Sequence, residues 1–189
     1  MNAPQFIHLR LHSEFSIVDG LVRIDESVSA AAADGQPALA ITDLANLFGM
    51  VKFYKACRSK GIKPVIGCDV WISNDDDRDK PHRLLLLVKN QVGYLQLCEL
   101  ISQAWLTNLH RGRAELRIEW LEQLTDKNGL IALSGFNAGD IGSALENGNA
   151  AQAERCAHRW AAIFPGNFYI EVQRNGNPKA ENLLRQLTQ

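Results

Sequence analysis

The longest unbroken aliphatic stretch in this sequence is LLLLV, residues 84–88. That is far short of the roughly 20 apolar residues needed to cross a bilayer. The amino terminus, MNAPQFIHLR, lacks the apolar core of a secretory signal. Net charge is only −1, so there is no global pull toward nucleic acid or an anionic membrane. Cysteine is scarce: Cys57, Cys68, Cys98 and Cys156 are the whole complement, and no two form a CxxC pair. That spacing argues against a zinc ribbon and against a small disulfide scaffold. These absences together point to a cytoplasmic protein with reduced thiols and no membrane partner.

What remains is enough for one sizeable domain spanning 1–189, since 46% of the residues are hydrophobic. Apolar stretches that read as strands alternate with amphipathic stretches that read as helices. The pattern predicts strands at about 6–11, 38–42, 64–72, 84–88, 130–133 and 168–172. It predicts helices at about 25–34, 47–59, 93–105, 150–164 and 180–187. The acidic stretch 74–80 reads as a solvated loop, and Asn175-Gly176-Asn177-Pro178 as a turn. Strand–helix alternation implies an α/β fold with a parallel sheet and helices packed outside it, doubly wound or closed into a barrel. The sequence stops inside a helical pattern, LLRQLTQ, which suggests a truncated chain.

Chemistry is concentrated near the start, in HLRLHSEFS (residues 8–16). On a strand, His8, Arg10 and His12 share one face, with Leu9 and Leu11 on the other. Two imidazoles at a strand's end could ligate zinc, manganese or iron; alternatively they are hydrogen-bonded structural histidines. Asp43 follows the apolar strand ALAI at its carboxyl end. It suits a catalytic or metal-binding carboxylate, and equally the N-cap of the next helix, the safer reading of that residue alone. Asp69 sits among apolar neighbours in GIKPVIGCDVWI. A buried lone carboxylate is costly, so Asp69 must meet a metal, an arginine or backbone donors unless it faces solvent. Trp105, Trp120 and Trp160 fall on helical patterns as core or interface aromatics. His110-Arg111-Gly112-Arg113 is a small basic turn, solvated unless it meets a phosphate or an acidic surface.

Five blocks in order, HLRLHSEFSIVDG, PALAITDLANLFGMVKFYKAC, GIKPVIGCDVWI, VKNQVGYLQLCELIS and GLIALSGFNAGDIG, resemble PHP (polymerase and histidinol phosphatase) domains. The likeness is to the PHP domain that opens the alpha subunit of bacterial DNA polymerase III, a C-family replicase. It runs from about Phe6 to the end of the chain. It implies a distorted (β/α)7 barrel, with the last strands and the polymerase domains beyond Gln189. Metal-dependent members of the family hold several metal ions at the barrel mouth and hydrolyse phosphoesters. In this sequence His12, Asp19, Asp43 and Asp69 match ligand-bearing motif positions, Asp69 where the family often has glutamate. Arg10 stands in place of a histidine of an HxH pair, and Leu44 in place of the histidine of TDH. Arg83 replaces a further histidine, with His82 one place away, and Phe136 replaces a cysteine. Arginine, leucine and phenylalanine cannot ligate a metal.

The resemblance therefore implies a vestigial metal site with no cofactor, in which Arg10, helped by Arg83, neutralises the remaining acids. It implies a structural module that docks the proofreading exonuclease subunit. The parent chain would be a DNA-directed DNA polymerase using magnesium, with DNA, dNTPs and the sliding clamp as partners. The alternative is an active metal-dependent phosphoesterase or 3′–5′ exonuclease, with His12, Asp19 and Asp69 holding the metal.

Overall fold

The computed structural model describes residues 6–174 and 178–188. The turn expected at Asn175-Gly176-Asn177-Pro178 falls largely outside them. The chain forms two compact units, the first ending at Asp69 and the second starting at Val70.

In the first unit, α1 (Ile24–Ala33) buries Ile24, Val28 and Ala31, one helical stripe, and carries Asp25 and Glu26 in its first turn. Those acids complement the positive end of the helix. Strand β1 (Ala38–Ile41) is buried throughout. Helix α2 (Met50–Lys60) buries Phe53 and Cys57 and stops at Gly61, whose φ of 74° supplies the left-handed cap. The expected start of α2 at residue 47 is displaced because Asn46 turns the chain first. Its side-chain oxygen accepts from Phe48 N at 3.0 Å, and its amide donates to the Phe15 and Leu44 carbonyls. Strand β2 (Lys63–Ile72) runs parallel to β1 through the register Ala38↔Lys63 to Ile41↔Ile66. Side chains from α1, β1 and α2 make one core, onto which Leu11 and Phe15 pack.

The strand expected at 6–11 does not form as a regular element. The segment runs beside β1, where Ala40 N donates to His8 O (3.0 Å) and Thr42 N to Leu11 O (2.9 Å). Acceptors three residues apart thus face donors two residues apart. The extra residue breaks the ladder like a bulge. Thr42 Oγ1 repairs part of the gap by accepting from Leu11 N.

The second unit contains β3 (His82–Val88), α3 (Gln91–Thr107), β4 (Leu109–His110), β5 (Arg113–Leu116), α4 (Ile118–Glu122) and β6 (Leu130–Leu133). A short 3-10 turn (Phe136–Ala138), α5 (Asp140–Glu146), α6 (Ala150–Ile163), β7 (Phe168–Tyr169) and α7 (Pro178–Leu187) complete it. Strand order is β4-β5-β2-β3-β6-β7, with β2 joining through Trp71 and Ile72. Asn90 caps α3 by accepting from Gly93 N, and Asn149 caps α6 by accepting from Gln152 N.

The α/β alternation read from the sequence is present, but the expected parallel sheet is mixed. Pairs β1/β2, β2/β5 and β6/β7 are parallel, whereas β3/β6 and β4/β5 are antiparallel. Short connections are the physical reason: two residues join β4 to β5 and nine join β2 to its neighbour β3, both too few for the crossover that parallel pairing needs.

Candidate functional site

The acids and cations singled out near the start of the sequence meet inside the first unit. Arg10 Nη1 and His12 Nε2 converge on the same oxygen, Oδ2 of Asp69, the imidazole at 3.1 Å. Asp69 is 0% exposed and the Arg10 side chain 23%. The other ring nitrogen of His12 lies 2.9 Å from Asp19 Oδ1. Asp19 also accepts from Ser16 Oγ at 2.7 Å, and Ser16 Oγ in turn accepts from Leu44 N at 3.0 Å. One continuous chain of hydrogen bonds thus runs from the Leu44 backbone through Ser16, Asp19, His12 and Asp69 to Arg10.

Local structure delivers each group. Asp69 lies on β2, where Ala45 N donates to its carbonyl at 2.8 Å and its own N–H reaches Asp43 O at 3.2 Å. Leu44 and Asp69 are therefore bridge partners. Asp19 is carried by a tight loop in which Glu14 N donates to Val22 O and Gly20 N to Ser16 O. A side chain at Gly20 would collide with the Ser13 carbonyl, so glycine is required for the loop to close.

Asp43 neither caps a helix nor joins that chain. The N-cap of α2 is Gly49. The Asp43 carboxylate instead accepts from Ser13 N (2.6 Å) and Ser13 Oγ (2.9 Å), fixing the residue next to His12. Burial pushes its pKa above the ordinary carboxylate range, against the pull of the Ser13 bonds. Beside it, the buried Cys68 thiol donates to Asp43 O at 3.2 Å, and burial pushes that thiol strongly upward. All four cysteines are free.

Both ring nitrogens of His12 face carboxylate oxygens, an arrangement only the doubly protonated imidazolium satisfies with two donors. Burial by itself would pull its pKa down, but hydrogen bonds and attraction from Asp69 and Asp19 outweigh burial and raise it. A group whose folded pKa is raised stabilises the fold fully below its unfolded value. That contribution fades as pH climbs through the folded value. The chain is therefore expected to lose stability on going from pH 6 to pH 9. His12→Gln should flatten that loss, as measured by urea unfolding across the range. Equal pH dependence in both proteins would mean that His12 is neutral in the fold.

His8, expected on the same face as Arg10 and His12, is not in the cluster. It is exposed and meets Phe6 edge-on, ring centroids 4.7 Å apart. The bulged path of 6–11 explains the departure, because alternation of faces holds only along an unbroken strand.

Arg83 and Phe136 lie in the second unit. The Arg83 guanidinium stacks 4.4 Å above the Trp71 ring, and Arg113 approaches the same ring at 5.8 Å. Phe136 is buried and anchors a small core with Ala180 and Leu183 of α7. The turn before it abuts Arg83, since a side chain at Gly135 would strike the Arg83 carbonyl. His82 opens β3; burial lowers its pKa, Asp140 opposing and Arg159 assisting.

Sequence reasoning missed a second polar cluster altogether. Glu115 on β5 is fully buried and receives Arg78 Nη2 (3.2 Å), Arg113 Nε (3.3 Å) and Ser73 Oγ (3.1 Å). Asn108 ties it together, donating to Ser73 Oγ and the Glu115 carbonyl and accepting from Arg78. The basic turn at residues 110–113 is likewise engaged: His110 and Arg111 both reach Asp79, in the loop expected to be merely solvated. The available signal was the sign pattern, acids of 74–80 against bases of 110–113.

The sequence pattern of the PHP domain matches residues 8–175. The chain belongs to the PHP domain family. Among curated proteins, this PHP chain is 51% identical over 177 residues to the DNA polymerase III subunit alpha of Neisseria meningitidis serogroup A, covering 92% of this chain and 15% of that protein. It is 41% identical over 184 residues to the DNA polymerase III subunit alpha of Escherichia coli K12, covering 97% of this chain and 16% of that one. The chain thus spans about a sixth of the length of these relatives. Among solved structures, an amidohydrolase from Chromobacterium violaceum with bound sulfate and no metal superposes with a TM-score of 0.42 at 23% identity, covering 52% of this chain and 32% of that one. No helix among the described residues is long and apolar enough to cross a membrane.

Proposed function

We propose that this PHP domain belongs to a DNA polymerase III alpha subunit and serves there as a metal-free structural and docking module. The observation that carries the proposal is the convergence of Arg10 and His12 on one oxygen of buried Asp69. A guanidinium never gives up its proton and offers only donors. It occupies the coordination space of Asp69 as a fixed cation. His12 has both nitrogens committed to carboxylates, so neither lone pair is directed at a metal. Leu44, bridged to Asp69, brings an aliphatic side chain where the family's TDH motif brings an imidazole. These residues do not fit a multi-metal cluster. An internal cation replaces bound ions as the counter-charge for Asp69.

The identity of 41–51% to polymerase alpha subunits supports the wider reading. The full protein would extend primed DNA from dNTPs, with magnesium held by carboxylates outside these residues. The proofreading exonuclease subunit and the sliding clamp would be its partners, in the cytoplasm.

The competing reading, a PHP phosphoesterase or 3′–5′ exonuclease, is tested on the same protein. With magnesium, manganese or zinc added, the chain is expected to release no nucleotide from a primer 3′ end above the level of His12→Ala. Metal-dependent release abolished by His12→Ala would refute the module reading. A full-length protein carrying this domain but unable to extend a primer would refute the polymerase assignment.

A further inference from the structure

In the second unit, α3, α4 and the residues just after α4 border a half-open cavity of about 170 Å³, lined in part by Leu100 and Leu124. Pockets for drug-sized ligands run to roughly 300–1,000 Å³. This one has room for a single side chain. Its walls carry Glu99, Gln103, Trp120 and Gln123. Among the described residues, none of these four side chains makes a hydrogen bond or an ion pair with another. A carboxylate, two primary amides and an indole thus line one small hollow that includes no lysine or arginine, with Glu99, Gln103 and Gln123 exposed to solvent and Trp120 half-buried. Glu99 disfavours phosphates and carboxylates there. An aromatic face beside a carboxylate attracts a planar cation, and amide oxygens accept its remaining N–H groups. Leu106, 83% exposed, lies one turn beyond Gln103 along α3.

We propose that this cavity is a socket for an arginine side chain of a partner protein. The guanidinium stacks on Trp120, pairs with Glu99 and donates to Gln103 and Gln123. The inference concerns surface chemistry of this chain alone and stands apart from the polymerase assignment.

The test uses N-acetyl-arginine amide as probe and N-acetyl-citrulline amide as its uncharged isostere. The readout is the Trp120 indole N–H signal in 15N-labelled protein. The arginine probe is expected to shift that signal saturably. Replacing it by citrulline, or Glu99 by glutamine (Glu99→Gln), should weaken binding about tenfold, the effect of losing one charge-assisted contact. Glu122→Gln, on exposed α4 surface outside the cavity, should leave affinity unchanged. No saturable shift at Trp120, or equal weakening by Glu122→Gln, would overturn the socket.

Discussion

Arg10→Ala is expected to lower the stability of this chain by about 3 kcal/mol, the low end of the roughly 3–5 kcal/mol cost of removing one partner from a buried ion pair. The low end applies because His12 keeps its bond to the same Asp69 oxygen. Asp69 itself has no exposure to water that could replace the guanidinium. For a domain of this size each 1 kcal/mol moves Tm by about 2–4 °C, so a fall of roughly 6–12 °C should appear in a thermal melt. Arg10→Lys should recover only part of the loss, because an ammonium lacks the planar fork. A double variant, Arg10→Met with Asp69→Leu, should be less damaged than the two single losses added together, since it leaves no buried charge behind. An unchanged melt for Arg10→Ala would mean that Arg10 is simply solvated and that Asp69 is held by other donors.

Phe136→Ala should cost about 3–5 kcal/mol, the range for deleting a buried phenylalanine ring. Phe136 is 2% exposed and packs against Ala180 and Leu183, with Leu145 and Leu187 at the margin. It holds this place with φ at 52°, in the left-handed region. Alanine relieves none of that backbone cost while giving up the ring. The local consequence is specific: α7 loses its anchor and should become cleavable by protease under native conditions. Phe136→Cys, which installs the residue type that the resemblance to metal-dependent PHP members implies here, should be nearly as costly and confer no metal binding. A loss under 1 kcal/mol for Phe136→Ala would show that α7 is held by something else.

How much of this was legible in the sequence depended on whether one dominant force decided the matter. Asp69 was readable because a carboxylate in an apolar strand has few outcomes, and an arginine partner was among them. That Arg10 stands in a histidine's place was implied only by the resemblance to PHP domains; the residue itself says just that a guanidinium cannot ligate a metal. Helices α1, α3 and α6 were legible as amphipathic stretches, and each buries a stripe of residues. Asp43 was not legible. A carboxylate after a strand can cap, ligate or bracket a neighbouring segment, and only the fold brings Ser13 to it. The 6–11 segment was misread because one inserted residue relative to β1 cancels the alternation that predicted a strand. The orientation of β6 against β3 was invisible for a related reason: it is set by pairing between residues such as Leu85 and Leu133, far apart in sequence. Glu115 escaped notice because its four-residue strand is too short to show that its acid faces inward.

The claim underlying all of this is that a fixed guanidinium stands where working PHP enzymes keep metal ions. Elemental analysis tests it most directly, on the chain purified without chelators, incubated with zinc and manganese, then dialysed into plain buffer. The expected result is well under one equivalent of any transition metal, with no change on Arg10→Ala. A stoichiometric ion that survives dialysis and disappears in His12→Ala would contradict it.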